Sequence, residues 1–109
     1  MIRLSICIAT LNRAGYIGHT LQSIMDQLTD AVEVVVVDGA STDSTAQVVA
    51  ECFEGRSNCH YHRLPETGGV DRDYCRTVEL AKGEFCWLMT DDDSIKPTAV
   101  ETVMKRLRP

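Results

Sequence analysis

A chain of 109 residues with 44% hydrophobic and 25% charged residues can bury the core of one domain, and its 7 Gly and 3 Pro exclude the disordered and collagenous classes. Eleven Lys and Arg against sixteen Asp and Glu leave a net charge of -5, the wrong sign for a broad basic grip on nucleic acid or anionic membrane. No nucleic-acid partner is expected, and any phosphate ligand must be met by a local device. The apolar runs at 34–37 and 86–89 fall far short of the roughly 20 residues of a spanning helix. The opening MIRLSICIAT lacks a long apolar region and a cleavage site. It reads as a strand, which leaves the chain without a transmembrane segment and places it in the cytoplasm or at the inner face of the membrane.

The chain begins with a strand, Leu4 to Thr10, followed by a helix over Ala14 to Leu28 whose apolar face carries Tyr16, Leu21, Ile24, Met25 and Leu28. VEVVVV, from Val32, is β-branched and almost wholly apolar, as a strand covered on both faces of a parallel sheet should be, and it ends at Asp38. Gly39 supplies a turn, with Ser41, Thr42 or Asp43 as N-cap of a helix over Ser44 to Phe53 that stops at Gly55. A short strand, Cys59 to Leu64, leads into the loop PETGG. Tyr74, Val78 and Ala81 mark a further helix, capped by Gly83. FCWLM, Phe85 to Met89, reads as another buried strand. Pro97 then opens a last helix bearing Val100, Val103, Met104 and Leu107.

This β-α alternation predicts an α/β fold: a mostly parallel sheet of about four strands, right-handed crossovers and helices on both faces. Ligands of such sheets sit outside the carboxyl ends of the strands. Thr10, Asn12 and Arg13 follow the first strand, Asp38 ends the second, and Asp91, Asp92 and Asp93 follow the fourth, so all gather on one rim. Three adjacent carboxylates repel one another, and a divalent cation with oxygen preference, Mg²⁺ or Mn²⁺, relieves that cost and bridges to substrate phosphates. The alternative is a solvated loop capping the next helix. Asp38 has a similar alternative, as a turn residue beside a glycine.

Five cysteines, an odd number without a CxxC pair, read as thiols. His60 and His62 would share a strand face, and with no third ligand nearby an ordinary surface is the simpler reading. No G-x-G-x-x-G, P-loop or G-x-S-x-G motif occurs.

LSICIATLNR, VEVVVVDGASTDST and AKGEFCWLMTDDDSIKP together resemble the nucleotide-sugar half of family 2 glycosyltransferases, which have the Rossmann-like GT-A fold. The segment GGVDRDYCRTVELAKGEFCWLMTDDD also resembles abequosyltransferase-like members of O-antigen synthesis. The resemblance implies metal-dependent, inverting transfer of a sugar from a nucleoside diphosphate donor to a glycan or lipid-linked acceptor in polysaccharide biosynthesis. It assigns Thr10, Asn12, Arg13, Asp38, Gly39, Arg72 and Asp91 to the nucleotide, and Asp92, with Asp93, to Mg²⁺ or Mn²⁺ in a DxD-like motif.

The chain departs from the family pattern at several points. Leu11 stands where an aromatic flanks the base, Asp-Gly at 38–39 replaces a frequent Asp-Asp, Met89 replaces the first Asp of D-x-D, and Asp73, Tyr74 and Cys75 replace Ala-Arg-Asn. Residues 1–109 are expected to form a single donor-binding domain truncated before the acceptor half, with the catalytic base beyond Pro109 and an uncovered surface open to self-association. The competing readings are a non-catalytic nucleotide-binding module or inactive remnant, and a phosphoacceptor receiver. A receiver would want an acidic pair where Thr10 and Asn12 stand.

Overall fold

The structure, a computed structural model, describes residues 1–107, so the expectations placed at Pro109 lie outside the described residues. Eight elements alternate as the sequence predicts: β1 (Leu4–Thr10), α1 (Ala14–Met25), β2 (Val32–Asp38), α2 (Thr45–Phe53), β3 (Cys59–Arg63), α3 (Val70–Leu80), β4 (Phe85–Met89) and α4 (Ala99–Arg106). The four strands form one sheet in the order β3-β2-β1-β4, with every pairing parallel. The two central strands, β1 and β2, are buried along their whole length, as their β-branched composition requires.

Side chains alternate across the sheet. Leu4, Ile6 and Ile8 of β1 and Val32, Val34 and Val36 of β2 join Ile17, Leu21 and Ile24 of α1 and Val49 and Phe53 of α2 in the main core. Val100 of α4 closes this core at one end, where its backbone N–H donates to the Gln27 side chain. On the opposite face, α3 lies over β1 and β2.

Several local expectations are corrected. Tyr16 is 56% exposed, its place toward the core taken by Ile17, because one step around the helix turns it to solvent. α1 ends at Met25, before Leu28. Helix α2 has Ser44 at its N-cap position without a side-chain bond, while Asp43 accepts from the Thr45 N–H at 2.9 Å. α3 closes at Ala81 and not at Gly83, whose lack of a side chain serves packing instead: a Cβ there would lie 2.7 Å from Ser5 Oγ. Pro97 precedes α4, which starts at Ala99. Strand β4 is buried on one face only: it is a sheet edge, with Phe85, Trp87 and Met89 turned to the main core and Cys86 and Leu88 exposed on the other face. On α3 the residues at apolar spacing are not the buried ones: Val78 is exposed and Tyr74 and Ala81 are half-buried, while Asp73 and Thr77 are buried against the sheet.

Candidate functional site

The strand order fixes where a ligand can sit. The chain passes from β1 to β2 to β3 in one direction, then α3 returns it across the sheet to place β4 on the other side of β1. The loop leaving β1 leads to α1 on one face of the sheet and α3 starts on the other, so the carboxyl ends of β1 and β4, where the strand order reverses, form the switch point at which open α/β sheets bind ligands. A cleft of about 400 Å³ lies there, lined by Thr10, Leu11 and Arg13 after β1, by Thr90, Asp91 and Asp92 after β4, and by Gly69, Val70, Asp73 and Tyr74 from the start of α3.

Register brings the two loops level. Ile8 pairs with Met89, so Asp91 arrives beside Thr10. The Thr10 hydroxyl donates to Asp91 Oδ2 at 2.8 Å, and Arg13 Nε lies 3.7 Å from Asp91 Oδ1. The guanidinium of Arg13 also sits over the Tyr16 ring, 5.8 Å from its centroid. Two further bonds hold the β4 loop in place: the Thr20 hydroxyl donates to the Asp91 carbonyl at 3.0 Å, and the Tyr74 hydroxyl donates to the Met89 carbonyl. Burial pushes the Tyr74 hydroxyl up, and the charges of Asp91 and Asp92 add to that.

Thr10, Arg13, Asp91 and Asp92, all singled out in the sequence, thus meet at the cleft. The others stand elsewhere. Asn12, in a left-handed conformation at φ 53°, turns its side chain away, and its Oδ1 accepts from the N–H groups of Thr42 and Asp43 at 2.7 and 3.3 Å. It clamps the β1 turn to the loop before α2, as do the bonds from the Arg13 N–H to Thr45 Oγ1 and from the Ala14 N–H to Asp43 Oδ2. The Thr45 hydroxyl holds the Asp43 carboxyl below its ordinary range.

Asp38 is fully buried: Oδ1 accepts from the N–H and hydroxyl of Ser41 at 2.8 and 2.7 Å, and Oδ2 from the Tyr61 hydroxyl at 2.6 Å. Gly39 is buried beneath Asp73. Arg72 bonds Asp73 Oδ1 and the Glu66 carbonyl and lines a neighbouring groove. Asp93 accepts from the Thr90 hydroxyl at 2.9 Å. The residue that sequence reasoning named only as a departure, and which the cleft brings forward, is Asp73.

The three adjacent carboxylates do not converge. Among the described residues, no cluster of three or more His, Cys, Asp or Glu is arranged to hold an ion by protein ligands alone. His60 lies elsewhere, with Nε2 3.4 Å from Glu33 Oε1. The cleft does present two neighbouring carboxylates, Asp91 and Asp92. This donor set fits Mg²⁺ or Mn²⁺, which are commonly held by one or two carboxylates and complete their shell with water and substrate phosphates.

The family described as Glycosyl transferase family 2 matches residues 5–109. Among curated proteins, the chain is 33% identical over 96 residues to abequosyltransferase RfbV of Salmonella typhimurium, covering 84% of this chain and 28% of that protein. It is 30% identical over 101 residues to a chondroitin synthase of Pasteurella multocida, covering 93% of this chain and 10% of the synthase. Among solved structures, residues 1–349 of Staphylococcus aureus TarS superpose with a TM-score of 0.87 at 30% identity, over 95% of this chain and 32% of that one. The Pyrobaculum calidifontis mannosyltransferase PcManGT, in complex with GDP-Man and Mn²⁺, superposes with a TM-score of 0.88 at 27% identity, over 98% of this chain and 32% of that one. The chain therefore spans about a third or less of the length of these proteins.

Proposed function

The chain belongs to glycosyl transferase family 2, and from that premise we propose that its switch-point cleft holds the nucleoside diphosphate of a sugar donor for transfer to a glycan or lipid-linked acceptor. The observation that carries this reading is the Thr10–Asp91–Arg13 arrangement beside Asp92, in a cleft bounded by the start of α3. Neighbours captured with UDP-GlcNAc and with GDP-Man and Mn²⁺ support a nucleotide-sugar donor.

In this reading Arg13 offers a cation at the cleft mouth, and the Thr10 bond keeps Asp91 from swinging into the space the nucleotide needs. Asp91 then faces the ribose side, and Asp92, which has no partner among the described residues to draw it away from the cleft, is the carboxylate for Mg²⁺ or Mn²⁺. Such an ion, when bound, offsets the negative charge that builds on the departing diphosphate. Asp93 is assigned to bracing Thr90. Residues 1–109 are read as one donor-binding domain of a longer, inverting enzyme of polysaccharide synthesis, whose proton acceptor for the incoming hydroxyl lies outside the residues described. Among the described residues no helix is long and apolar enough to cross a membrane.

Calorimetric titration with UDP, dTDP, GDP and CDP, each with and without Mn²⁺, tests the assignment. One nucleotide should bind more tightly with the ion, and Asp92→Ala should remove that increment, by at least about tenfold or about 1.4 kcal/mol, with an unchanged circular dichroism spectrum. Unchanged metal-dependent affinity in the variant would take Asp92 out of the metal site, and absence of binding by every nucleotide would overturn the donor-site reading.

A further inference from the structure

The cleft is lined by a carboxylate with only one of its two oxygens bonded among the described residues. Asp73 sits in the first turn of α3 with its side chain only 5% exposed. Both guanidinium bonds that reach it, from Arg72 Nε at 3.2 Å and from the terminal nitrogen at 3.1 Å, end on Oδ1. Among the described residues no donor reaches Oδ2, which is not fully enclosed, and Asp73 lines the cleft. A carboxylate oxygen that is desolvated on all sides but one, and unpaired, calls for a donor from that side.

Gly39 is what admits it. A Cβ at position 39 would lie 2.5 Å from Asp73 Oδ2, so the α3 carboxylate occupies the volume that a side chain at the end of β2 would fill. Asp38, next to it, cannot serve a ligand, because Ser41 and Tyr61 engage both its oxygens and it is wholly enclosed. The free carboxylate oxygen is also set apart from Asp91 and Asp92, which line the cleft from the β4 side.

We propose that Asp73 is the base-reading residue of this cleft: its Oδ2 accepts a hydrogen bond from an N–H on the edge of the donor's nucleobase, while Arg72 fixes Oδ1 and so the orientation of the carboxylate. The proposal rests on the donor-site reading above and deepens it. The diphosphate has no donor to offer this acceptor and the ribose side is assigned to Asp91, so Asp73 acts on the base and its contribution separates from that of the metal end. The source of the N–H, a ring imide or an exocyclic amine, is decided by which nucleotide binds.

The test is titration of the protein, with Mn²⁺ present, with UDP, dTDP, GDP, CDP, ADP and inorganic pyrophosphate. The native protein should bind at least one nucleotide about tenfold or more tightly than pyrophosphate, in line with a hydrogen bond to a charged acceptor. Asp73→Ala should lower that nucleotide's affinity by about 10- to 100-fold and leave pyrophosphate unchanged. The double variant Gly39→Asp/Asp73→Ala, which roots a carboxylate on β2 in the same space, should restore the preference. Asp73→Ala with native preference would overturn the proposal, as would a native protein that binds pyrophosphate as well as any nucleotide; in both cases the donor-site reading survives. A native protein that binds no nucleotide would bring down both. Should Asp73→Ala fail to fold, the double variant decides: folded, with the preference regained, it supports the base contact, and folded without it, it refutes it.

Discussion

Asp38 shows how one residue can look like a ligand-binding group and be structural. A carboxylate at a strand end invites a substrate, but the bonds from Ser41 and Tyr61 use both of its oxygens inside the fold. Burial, and then the bond to Asp38, push the Tyr61 hydroxyl well above its ordinary value. A raised value means that the folded state favours the protonated phenol. Its stabilisation is complete below the unfolded value of about 10 and is lost as pH rises through the higher folded value. Tyr61→Phe should therefore cost about 1–3 kcal/mol near neutral pH, since it leaves one Asp38 oxygen without a donor. Urea unfolding should show the gap between the two proteins narrowing above about pH 10. Nucleotide affinity should not change, and a loss of binding in this variant would return Asp38 to the cleft.

At the scale of elements, periodicity located every strand and helix because β1 and β2 are buried on both faces and carry an unmistakable β-branched signal. It failed where burial is one-sided in an unexpected sense. Helix α3 turns Asp73 and Thr77 to the sheet and Val78 outward, with Tyr74 and Ala81 half-buried, so counting apolar residues at helical spacing does not select the buried ones. The carboxylate Glu33, set within the apolar run of β2, is satisfied by partners remote in sequence: the Ser5 hydroxyl and the Lys82 N–H, both at 2.6 Å. No local pattern announces such pairs, and the same holds for Asp73 over Gly39.

Ser5 in turn accepts from the Gly83 N–H at 2.9 Å, so this network ties the turn before β4 to β1. A methyl group at position 83 would lie 2.7 Å from Ser5 Oγ and 2.8 Å from the Ser5 nitrogen. The backbone cannot yield there without parting β4 from β1. Gly83→Ala should thus destabilise the fold by about 1–3 kcal/mol, lowering the melting temperature by several degrees. A melting temperature equal to that of the native protein would show that the turn relaxes freely.

The whole molecule is unequally covered. Its radius of gyration, 13.0 Å, is that of a compact chain of this length, so surface left open is not the result of loose packing. One face of the sheet lies under α1 and α2, whereas the other is covered over β1 and β2 and open over β4. There Leu88 is 55% and Val78 46% exposed, beside Tyr74 and Cys75, and β4 presents an unpaired backbone edge. An apolar patch at a free strand edge promotes association. We expect the 109-residue chain to self-associate through the α3–β4 face, with a sedimentation coefficient that rises with protein concentration. Leu88→Lys puts a charge in the patch at a residue that belongs neither to the main core nor to the lining of the cleft. It should shift the association midpoint to at least about tenfold higher concentration while nucleotide titration is unaltered. A native chain that sediments as a monomer at every concentration would show that α3 and β4 need no cover, and an unshifted midpoint in Leu88→Lys would move the contact to another surface.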